Sequence, residues 1–363
     1  MIKNISVSNF KCFDRLSVEC SSLNLFTGVN GMGKSTLLQT LLLMRQTYEK
    51  KAASEGRKLK LNGHYVSLGM MKDILNWDRE SDILKIKVEE DESLLEFIYD
   101  ENGERINSIR NEDFKNMKFL SGKFEYISAE RLGPRRFYDT LQNDYYEEEI
   151  GIKGENTVVC LEKKGSDEKI YSNMKHETEK SLRLDLQVNA WMREISPGIS
   201  INTIPYLDVN LVGLRYGINN ALGQETNAVN MGFGVTYVLP VVVALLKARK
   251  DDILIIENPE AHLHPKGQRR IGELVALAAE NGVQIFMETH SDHILNGIRL
   301  CVKNKRVRAN NVKINYFYQY IASDKILRHD KTSPEILDDG DLSNWPEGFF
   351  DEWDKAIDEL FEQ

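Results

Sequence analysis

The segment FTGVNGMGKST at residues 26–36 constrains this chain more than any other stretch. Gly28 is followed by four residues and then by Gly33, Lys34 and Ser35, which is the spacing of a phosphate-binding loop. An apolar run precedes the segment and LLQTLLLM follows it, so the pattern predicts a strand, a tight loop and a helix from about Lys34. Glycines let such a loop turn successive N–H groups toward an anion at the helix N-terminus.

The loop is therefore expected to bind a nucleoside triphosphate with Mg²⁺. The Lys34 ammonium would neutralise the β- and γ-phosphates, and the Ser35 hydroxyl would bind the metal. Further contacts with the nucleotide are expected from Asn30, Gly31, Gly33 and Thr36. Guanine-specific proteins usually carry an Asn-Lys-x-Asp element. NKRV at 304–307 lacks its aspartate, so ATP is the expected nucleotide.

A second segment, DILIIENPEAHLHP, ends an apolar run with an acid. Four apolar residues place Glu257 at the C-terminal end of a predicted strand, the edge at which open α/β sheets bind ligands. An acid there can hold Mg²⁺, directly or through water. Asn258 follows it, and Glu260 is the nearby carboxylate available to orient an attacking water.

A third segment, VQIFMETHS, places His290 at the end of another predicted strand. From that position the imidazole is predicted to contact the γ-phosphate and to respond to its loss. The order DILIIEN, KGQRRIGELVALAAENG and VQIFMETHS predicts strand, helix and strand, which is a βαβ unit with a parallel sheet.

Other stretches predict elements around these motifs. DILKIKVEE and SLLEFIYD alternate like an antiparallel hairpin, and NYFYQYI resembles a last strand. Residues 176–195 have helical spacing, and a strongly apolar helix is predicted over 235–249. The fold class predicted from this mixture is α/β.

Composition narrows the classes of function. Of the 363 residues 41% are hydrophobic and 28% charged, as in soluble globular proteins, and no apolar run has the length of a membrane span. Four scattered cysteines without a CxxC pair fit the cytoplasm, which is the predicted location. The net charge of −9 opposes general nucleic-acid binding, although Arg131, Arg135 and Arg136 leave a local basic patch open.

Taken together, these motifs resemble the SMC/RecF-type ABC ATPases, in particular the compact "overcoming lysogenization defect"-like (OLD-like) AAA ATPases of bacterial anti-phage defence. The stretches that carry the likeness are ISVSNFKCFDRLSVECSSLNLFTGVNGMGKST, YISAERLGPRR, IIENPEAHLHP and METHSDHIL. They span most of residues 1–300.

The resemblance implies an ABC-type ATPase head with a mixed central sheet, a P-loop lobe, an antiparallel β subdomain and a helical signature lobe. One domain is expected over residues 1–330, followed by a docked C-terminal cap over 331–363. The expected subdivisions of that domain are a P-loop and β lobe at about 1–140, an inserted and signature region at about 141–250, and an acidic-strand and switch-histidine part at about 251–330.

Family membership further implies a homodimer, or a higher oligomer, that encloses two ATP molecules. In such dimers a signature loop of one chain faces the phosphate loop of the other. NAVNMGFGVTYVLP at 227–240 has the expected position, and Gly232 and Gly234 would present N–H groups to the γ-phosphate. The usual serine is missing there, and Asn230 is its expected substitute.

The sequence departs from the family pattern at three places. Asn258 stands where the family carries its catalytic glutamate, so either Glu260 substitutes or hydrolysis is slow. The family normally has a glutamine that links the first lobe to the magnesium site, but no glutamine occurs between Gln46 and Gln142. A residue in YVSLGMMKDIL at 65–75, such as Asp73, is a candidate for that role. His264 occupies the place of an aspartate in the loop that crosses the dimer.

Three functions remain open at this point. The first is an ATPase of an anti-phage defence complex whose dimer holds, restrains or activates a separate effector, such as a nuclease or a toxin. The second is a RecF-like repair ATPase that binds DNA in a basic groove. The third is the motor of a membrane transporter, against which the missing glutamine and the atypical signature loop both count.

Overall fold

The computed structural model describes residues 1–48, 58–109, 114, 116–140, 150–218 and 225–361. Within this part of the chain the strands are β1 (Ile2–Phe10), β2 (Phe13–Glu19), β3 (Leu23–Gly28), β4 (Leu84–Glu90), β5 (Ser93–Tyr99), β6 (Phe124–Ile127), β7 (Phe137–Asp139), β8 (Ile199–Tyr206), β9 (Leu211–Ile218), β10 (Glu225–Asn227), β11 (Ile253–Glu257), β12 (Gln284–Glu288), β13 (Val312–Ile321) and β14 (Leu327–Thr332).

Helices of four to sixteen residues connect these strands. Those in the described ranges are α1 (Lys34–Tyr48), α2 (Met71–Ile74), α3 (Lys118–Ser121), α4 (Thr157–Lys164), α5 (Leu184–Ile195), α6 (Phe233–Lys247), α7 (Pro265–Glu280), α8 (Asp292–Lys303) and α9 (Glu352–Phe361). Short 3-10 turns occur at Ser172–Met174, Leu207–Val209, Ala228–Asn230 and Ala309–Asn311.

The chain divides into two compact units. The first comprises Met1–Phe124, Ala309–Leu337 and Asp341–Gln363, and the second comprises Glu125–Arg308 and Asp338–Gly340. The domain subdivision expected from the sequence stays a prediction, and its boundary near residue 141, like Gln142, lies outside the described residues.

The first unit contains an antiparallel sheet in the order β2-β1-β4-β5. Strand β4 alternates strictly between buried residues such as Ile86 and exposed residues such as Lys87, because successive side chains of a strand point to opposite faces. The predicted hairpin of β4 and β5 is confirmed. Its register pairs Glu90 with Ser93, and Asp91 takes a left-handed conformation in the turn between them.

The strand that leads into the phosphate loop also belongs to the first unit. Within that unit the order is β14-β13-β3, with β13 parallel to β3 and antiparallel to β14. Residues 23–27 of β3 are all buried, as expected of a strand covered on both faces. The sequence analysis did not predict β14, because LRHDKT is mostly polar and has no apolar alternation.

The second unit contains the predicted βαβ unit. Strands β11 and β12 are parallel, with Ile253 opposite Gln284 and Glu257 opposite Glu288, and α7 connects them. Strand β6 neighbours β11. The same unit has an antiparallel sheet around β9, which pairs with β7, β8 and β10.

The helix predicted over residues 176–195 is shorter than its spacing suggested and begins at Leu184. The side chain of Gln187, which is fully buried, explains the difference. Its Oε1 accepts a hydrogen bond from the His176 N–H at 2.8 Å, and its amide nitrogen donates to the Ser181 carbonyl. These bonds hold the residues before Leu184 in a non-helical loop that includes a turn at 177–178.

A buried aromatic side chain, Phe349, lies among the C-terminal residues of the first unit. Phe349 is 1% exposed and lies 5.3 Å from the ring of Tyr316 on β13, measured between centroids. Trp353 on α9 is 73% exposed. No helix among the described residues is both long and apolar enough to cross a bilayer.

Candidate functional site

The phosphate loop requires glycine at two of its positions. Gly28 has a φ of 135°, and a Cβ there would lie 2.4 Å from the carbonyl oxygen of Phe317 on β13. Gly33 has a φ of 102°, and its Cβ would lie 2.3 Å from the ring of Phe13. Side chains at either position would force these neighbours to move, so the glycines are needed for packing as well as for the turn.

Lys34 begins α1 with its side chain folded back on the loop. The residue is 3% exposed, and its Nζ donates to the carbonyl oxygens of Gly28 and Val29, each at 2.9 Å. A buried ammonium at a helix N-terminus, held by its own loop, provides the positive charge that a bound phosphate needs.

The tip of the loop is open. Val29, Asn30 and Gly31 are exposed, whereas Ser35 and Thr36 are half-buried in the first turn of α1. A cavity of about 590 Å³ lies beside the tip, lined by Val29, Met32, Tyr316, Tyr318, Pro346 and Glu347, among others. The C-terminal residues of the chain therefore form part of the immediate surroundings of the phosphate loop.

In the second unit, Glu257 lies at the end of β11 as predicted, and its partners come from β6 and the residues just after that strand. Its Oε1 accepts a hydrogen bond from the Tyr126 hydroxyl at 3.1 Å, and its Oε2 accepts one from the Ala129 N–H at 3.0 Å. Burial and the nearby Glu257 carboxylate raise the pKa of Tyr126, so its hydroxyl stays protonated as a donor. Each carboxylate oxygen has a second lone pair with which it can bind a cation.

Asn258 has an unusual backbone conformation. Its φ is 43°, in the left-handed region that asparagine tolerates better than most residues. The Asn258 N–H donates to the carbonyl of Glu288 at 2.9 Å. Its side-chain Oδ1 is buried and has no hydrogen-bond partner among the described residues.

Glu260 and His290 meet at the ends of neighbouring strands. The His290 N–H donates to Oε1 of Glu260 at 2.6 Å, while the His290 side chain is exposed. Oε2 of Glu260 is buried without a hydrogen-bond partner in the described part of the chain. Burial raises the pKa of Glu260, and the hydrogen bond from His290 opposes that rise.

Arg131 is a site residue whose place the sequence analysis did not identify. The sequence analysis considered it with Arg135 and Arg136 as a local basic patch, but it is 3% exposed, whereas the other two are exposed. Its guanidinium donates to the carbonyls of Glu257 and Asn258. The contact to Glu257 joins residues 126 positions apart, and no local pattern in the sequence relates them.

The predicted signature loop lies at the start of α6. Gly232 precedes the helix and is exposed with open space around it, and Phe233 is 56% exposed. Gly234, in contrast, is tightly packed, because a Cβ there would lie 2.3 Å from the carbonyl oxygen of His262. His264 precedes α7, and its Nδ1 accepts a hydrogen bond from the Lys266 N–H at 3.3 Å.

The structure thus brings together Glu257, Asn258, Glu260 and His290 in one unit, and the loop from Asn30 to Thr36 is formed in the other. The described residues contain no cluster of three or more His, Cys, Asp or Glu side chains that could hold a metal ion. Asp73, suggested for the missing glutamine, accepts a hydrogen bond from the Met70 N–H at 2.8 Å in its own helical turn.

A comparison with protein families decides the affiliation. Residues 74–296, more than half of the chain, match the family described as "AAA domain, putative AbiEii toxin, Type IV TA system". The chain belongs to this AAA-domain family. Residues 307–360 of this AAA-domain protein match a second family, described as "Protein of unknown function (DUF3696)". A search of curated protein sequences found no match.

A search of solved structures found chains similar to this AAA-domain protein. An SMC head bound to the C-terminal winged-helix domain of ScpA shares 15% identity at a TM-score of 0.50, covering 92% of this chain and 97% of that chain. The Pyrococcus furiosus SMC head bound to the C-terminal domain of ScpA shares 13% sequence identity at a TM-score of 0.49. The match covers 99% of each chain. A structure of the recombination mediator protein RecF shares 14% sequence identity at a TM-score of 0.41. The match covers 91% of this chain and 98% of that chain. The first match confirms the α/β fold of an SMC-type ATPase head.

Proposed function

We propose that this protein is the ATPase of a cytoplasmic anti-phage defence complex. In this proposal its ATP-bound dimer holds, restrains or activates a separately encoded effector, such as a nuclease or a toxin. The description of its family, which names an abortive-infection toxin and a toxin–antitoxin system, supports a role of this class. The observation that carries the ATPase part is the conformation of the glycine loop around the buried Lys34 ammonium.

ATP would bind to the loop from Asn30 to Thr36, with its phosphate charge compensated by Lys34 and by the N-terminus of α1. Ser35 and Glu257 are the residues that would hold Mg²⁺. When bound, the metal would neutralise charge that develops on the phosphate oxygens. The Glu257 carboxylate suits this role, because Tyr126 and Ala129 orient both of its oxygens.

Hydrolysis needs a group that orients water, and the proposed group is Glu260. Its Oε1 is held by the His290 N–H, which leaves Oε2 as a buried acceptor. Oδ1 of Asn258 is a second buried acceptor only two residues away. A water molecule can donate to two such acceptors. Because an asparagine cannot take up the proton of that water, turnover is expected to be slow unless Glu260 does so.

The start of α6 is proposed to close on the nucleotide of a second copy. Gly232 and Gly234 would direct N–H groups of the helix N-terminus at its γ-phosphate. ATP can drive this closure only if it binds the closed dimer more tightly than the open one. The His290 side chain would contact the γ-phosphate and lose that contact on hydrolysis.

Measurements of ATP binding, ATP turnover and oligomeric mass, with and without Mg²⁺, test the ATPase part. Lys34→Ala is expected to abolish binding and ATP-dependent dimerisation. The exposed Lys87, replaced in the same way, is the control that should change neither. Full ATP turnover in Lys34→Ala would contradict the assignment of this loop as the ATP-binding site. Tight ATP binding without turnover in the wild type would support the ATP-bound dimer and contradict the proposed hydrolysis.

A plaque assay tests the defence part. Cells that carry the gene with its neighbouring genes should resist phage, and Lys34→Ala should remove the resistance. If the wild type gives no resistance to any of a broad set of phages, the defence role is wrong even where ATP turnover is normal.

A further inference from the structure

We propose that Arg131 is a positioning residue for ATP hydrolysis, which holds the loop of Glu257, Asn258 and Glu260 in its reactive conformation. This inference rests on the proposed function and adds to it a residue that is not among the nucleotide and metal contacts proposed above. It also links that loop to the helix that follows the proposed signature loop.

Arg131 donates hydrogen bonds to backbone oxygens of two segments. One terminal nitrogen donates to the Asn258 carbonyl at 3.0 Å and to the Glu257 carbonyl. The other donates to the carbonyl of Tyr237 on α6 at 3.3 Å. The guanidinium also lies over the Tyr237 ring, 6.0 Å from its centroid. One buried side chain therefore joins the acidic loop to α6.

The backbone hydrogen bonds of Asn258 show how Arg131 stabilises the conformation of this loop. Its N–H is bound to Glu288 of β12, and its carbonyl accepts from Arg131. The peptide groups on both sides of a left-handed residue are thus held, which compensates for a conformation that an asparagine adopts only at some cost. Without Arg131 the loop can relax toward ordinary φ values and carry the Asn258 side chain with it.

The carboxylates of the loop keep Arg131 charged in spite of its burial. Burial lowers its pKa to about 10, and Glu260 and Glu257 oppose that change, so the side chain is a cation at neutral pH. The same cation lowers the pKa of Glu260 against the effect of burial. Arg131 therefore supplies a positive charge to the loop whose backbone it holds.

Lysine is not equivalent at this place. The planar guanidinium presents donors in a fixed fork and stacks on an aromatic ring, whereas an ammonium is a single point with rotatable donors. Arg131→Lys should keep the charge and one or two of the carbonyl contacts. It should lose the contact with the Tyr237 ring and the simultaneous bonds to both segments.

Arg131→Gln and Arg131→Lys test the proposal, with Arg136→Gln as a control on an exposed arginine of the same segment. Each variant is assayed for the Kd of ATP, for kcat, and for the affinity of ADP with aluminium fluoride, a mimic of the transition state. Arg131→Gln should leave the Kd of ATP within about twofold and reduce kcat about 100-fold, the usual effect of misplacing a catalytic group. Arg131→Lys should recover part of that loss, and Arg136→Gln should resemble the wild type.

Three results separate this role from others. Equal losses of ATP binding and thermal stability in Arg131→Gln and Arg131→Lys would make the residue merely structural, and a kcat unchanged in Arg131→Gln would overturn the proposal directly. If the wild type binds ATP without turning it over, the hydrolysis proposed above is wrong. The aluminium fluoride comparison then decides the role of Arg131 alone, because a positioning residue lowers that affinity selectively.

Discussion

The backbone N–H of His290 donates a 2.6 Å hydrogen bond to Oε1 of Glu260, so the proposed γ-phosphate sensor and the proposed water-orienting carboxylate are directly connected. The donor is the main chain, which leaves the imidazole exposed. A movement of residue 290 on loss of the phosphate would therefore move the carboxylate as well. His290→Ala keeps the N–H, so it should affect the sensor and leave Glu260 in place.

Glu260→Gln should trap the ATP-bound state. The amide is isosteric and its oxygen can still accept from His290, but it cannot take a proton from water. We expect kcat to fall by about 10²–10⁴-fold, with ATP binding retained and a dimer that persists in size-exclusion chromatography with ATP and Mg²⁺. Glu130→Gln, on an exposed residue of the same unit, is the control. Undiminished ATP turnover in Glu260→Gln would mean that a group other than Glu260 orients the attacking water.

The pH dependence of turnover should report the same carboxyl group. Because burial raises the pKa of Glu260, the acidic limb of kcat should lie above the usual glutamate range near 4.3. The folded state then holds the proton more tightly than the unfolded state, so stability falls as pH rises from the unfolded pKa to the folded one. Melting temperatures of wild type and Glu260→Gln across pH measure this. A difference that does not vary with pH would contradict it.

Two glycines of the proposed signature loop should respond differently to alanine. Gly234→Ala places a Cβ 2.3 Å from the His262 carbonyl, whereas Gly232→Ala enters open space at an ordinary φ of −60°. We expect Gly234→Ala to destabilise the protein by about 1–3 kcal/mol, as overpacked sites do. Gly232→Ala should stay within about 0.5 kcal/mol of the wild type. Urea unfolding measures both, and equal effects would refute the packing described here.

The exposed ring of Phe233 offers a test of the dimer. At 56% exposure it can accept a charge without loss of the fold, so Phe233→Asp should bind ATP normally. If the start of α6 closes on a second copy, this variant should lose ATP-dependent dimerisation. Leu207→Asp, on a residue 82% exposed in another part of the unit, is the matched control. Light scattering with and without ATP distinguishes the two, and a Phe233→Asp dimer would place the interface elsewhere.

The C-terminal residues should contribute to stability through Phe349 far more than through Trp353. Truncation of a fully buried phenylalanine costs about 3–5 kcal/mol, and Phe349 is 1% exposed against Tyr316. Trp353→Ala should cost less than about 0.5 kcal/mol, because surface substitutions rarely cost more. Calorimetric unfolding of both variants decides whether the end of the chain is docked as described.

Much of the fold could be predicted from the sequence because its signals are local. The glycine spacing before Lys34, the apolar run before Glu257 and the alternation in β4 each depend on residues within about ten positions. The prediction of a helix over 176–195 was wrong for its first residues, because the Gln187 side chain forms hydrogen bonds with backbone groups of His176 and Ser181. Strand β14 was missed because an edge strand with a polar sequence leaves no pattern.

The sequence by itself determined which residues are proposed to carry the chemistry: the glycine loop with Lys34, the strand-end acid Glu257, and His290. Only the tertiary structure decided how three of the site residues are held. Asn258 is left-handed, Glu260 receives the N–H of His290, and Arg131 lies buried against the carbonyls of Glu257 and Asn258. The reason is physical, since these contacts join segments that are distant in the chain and meet only when β6, β11 and β12 are in place.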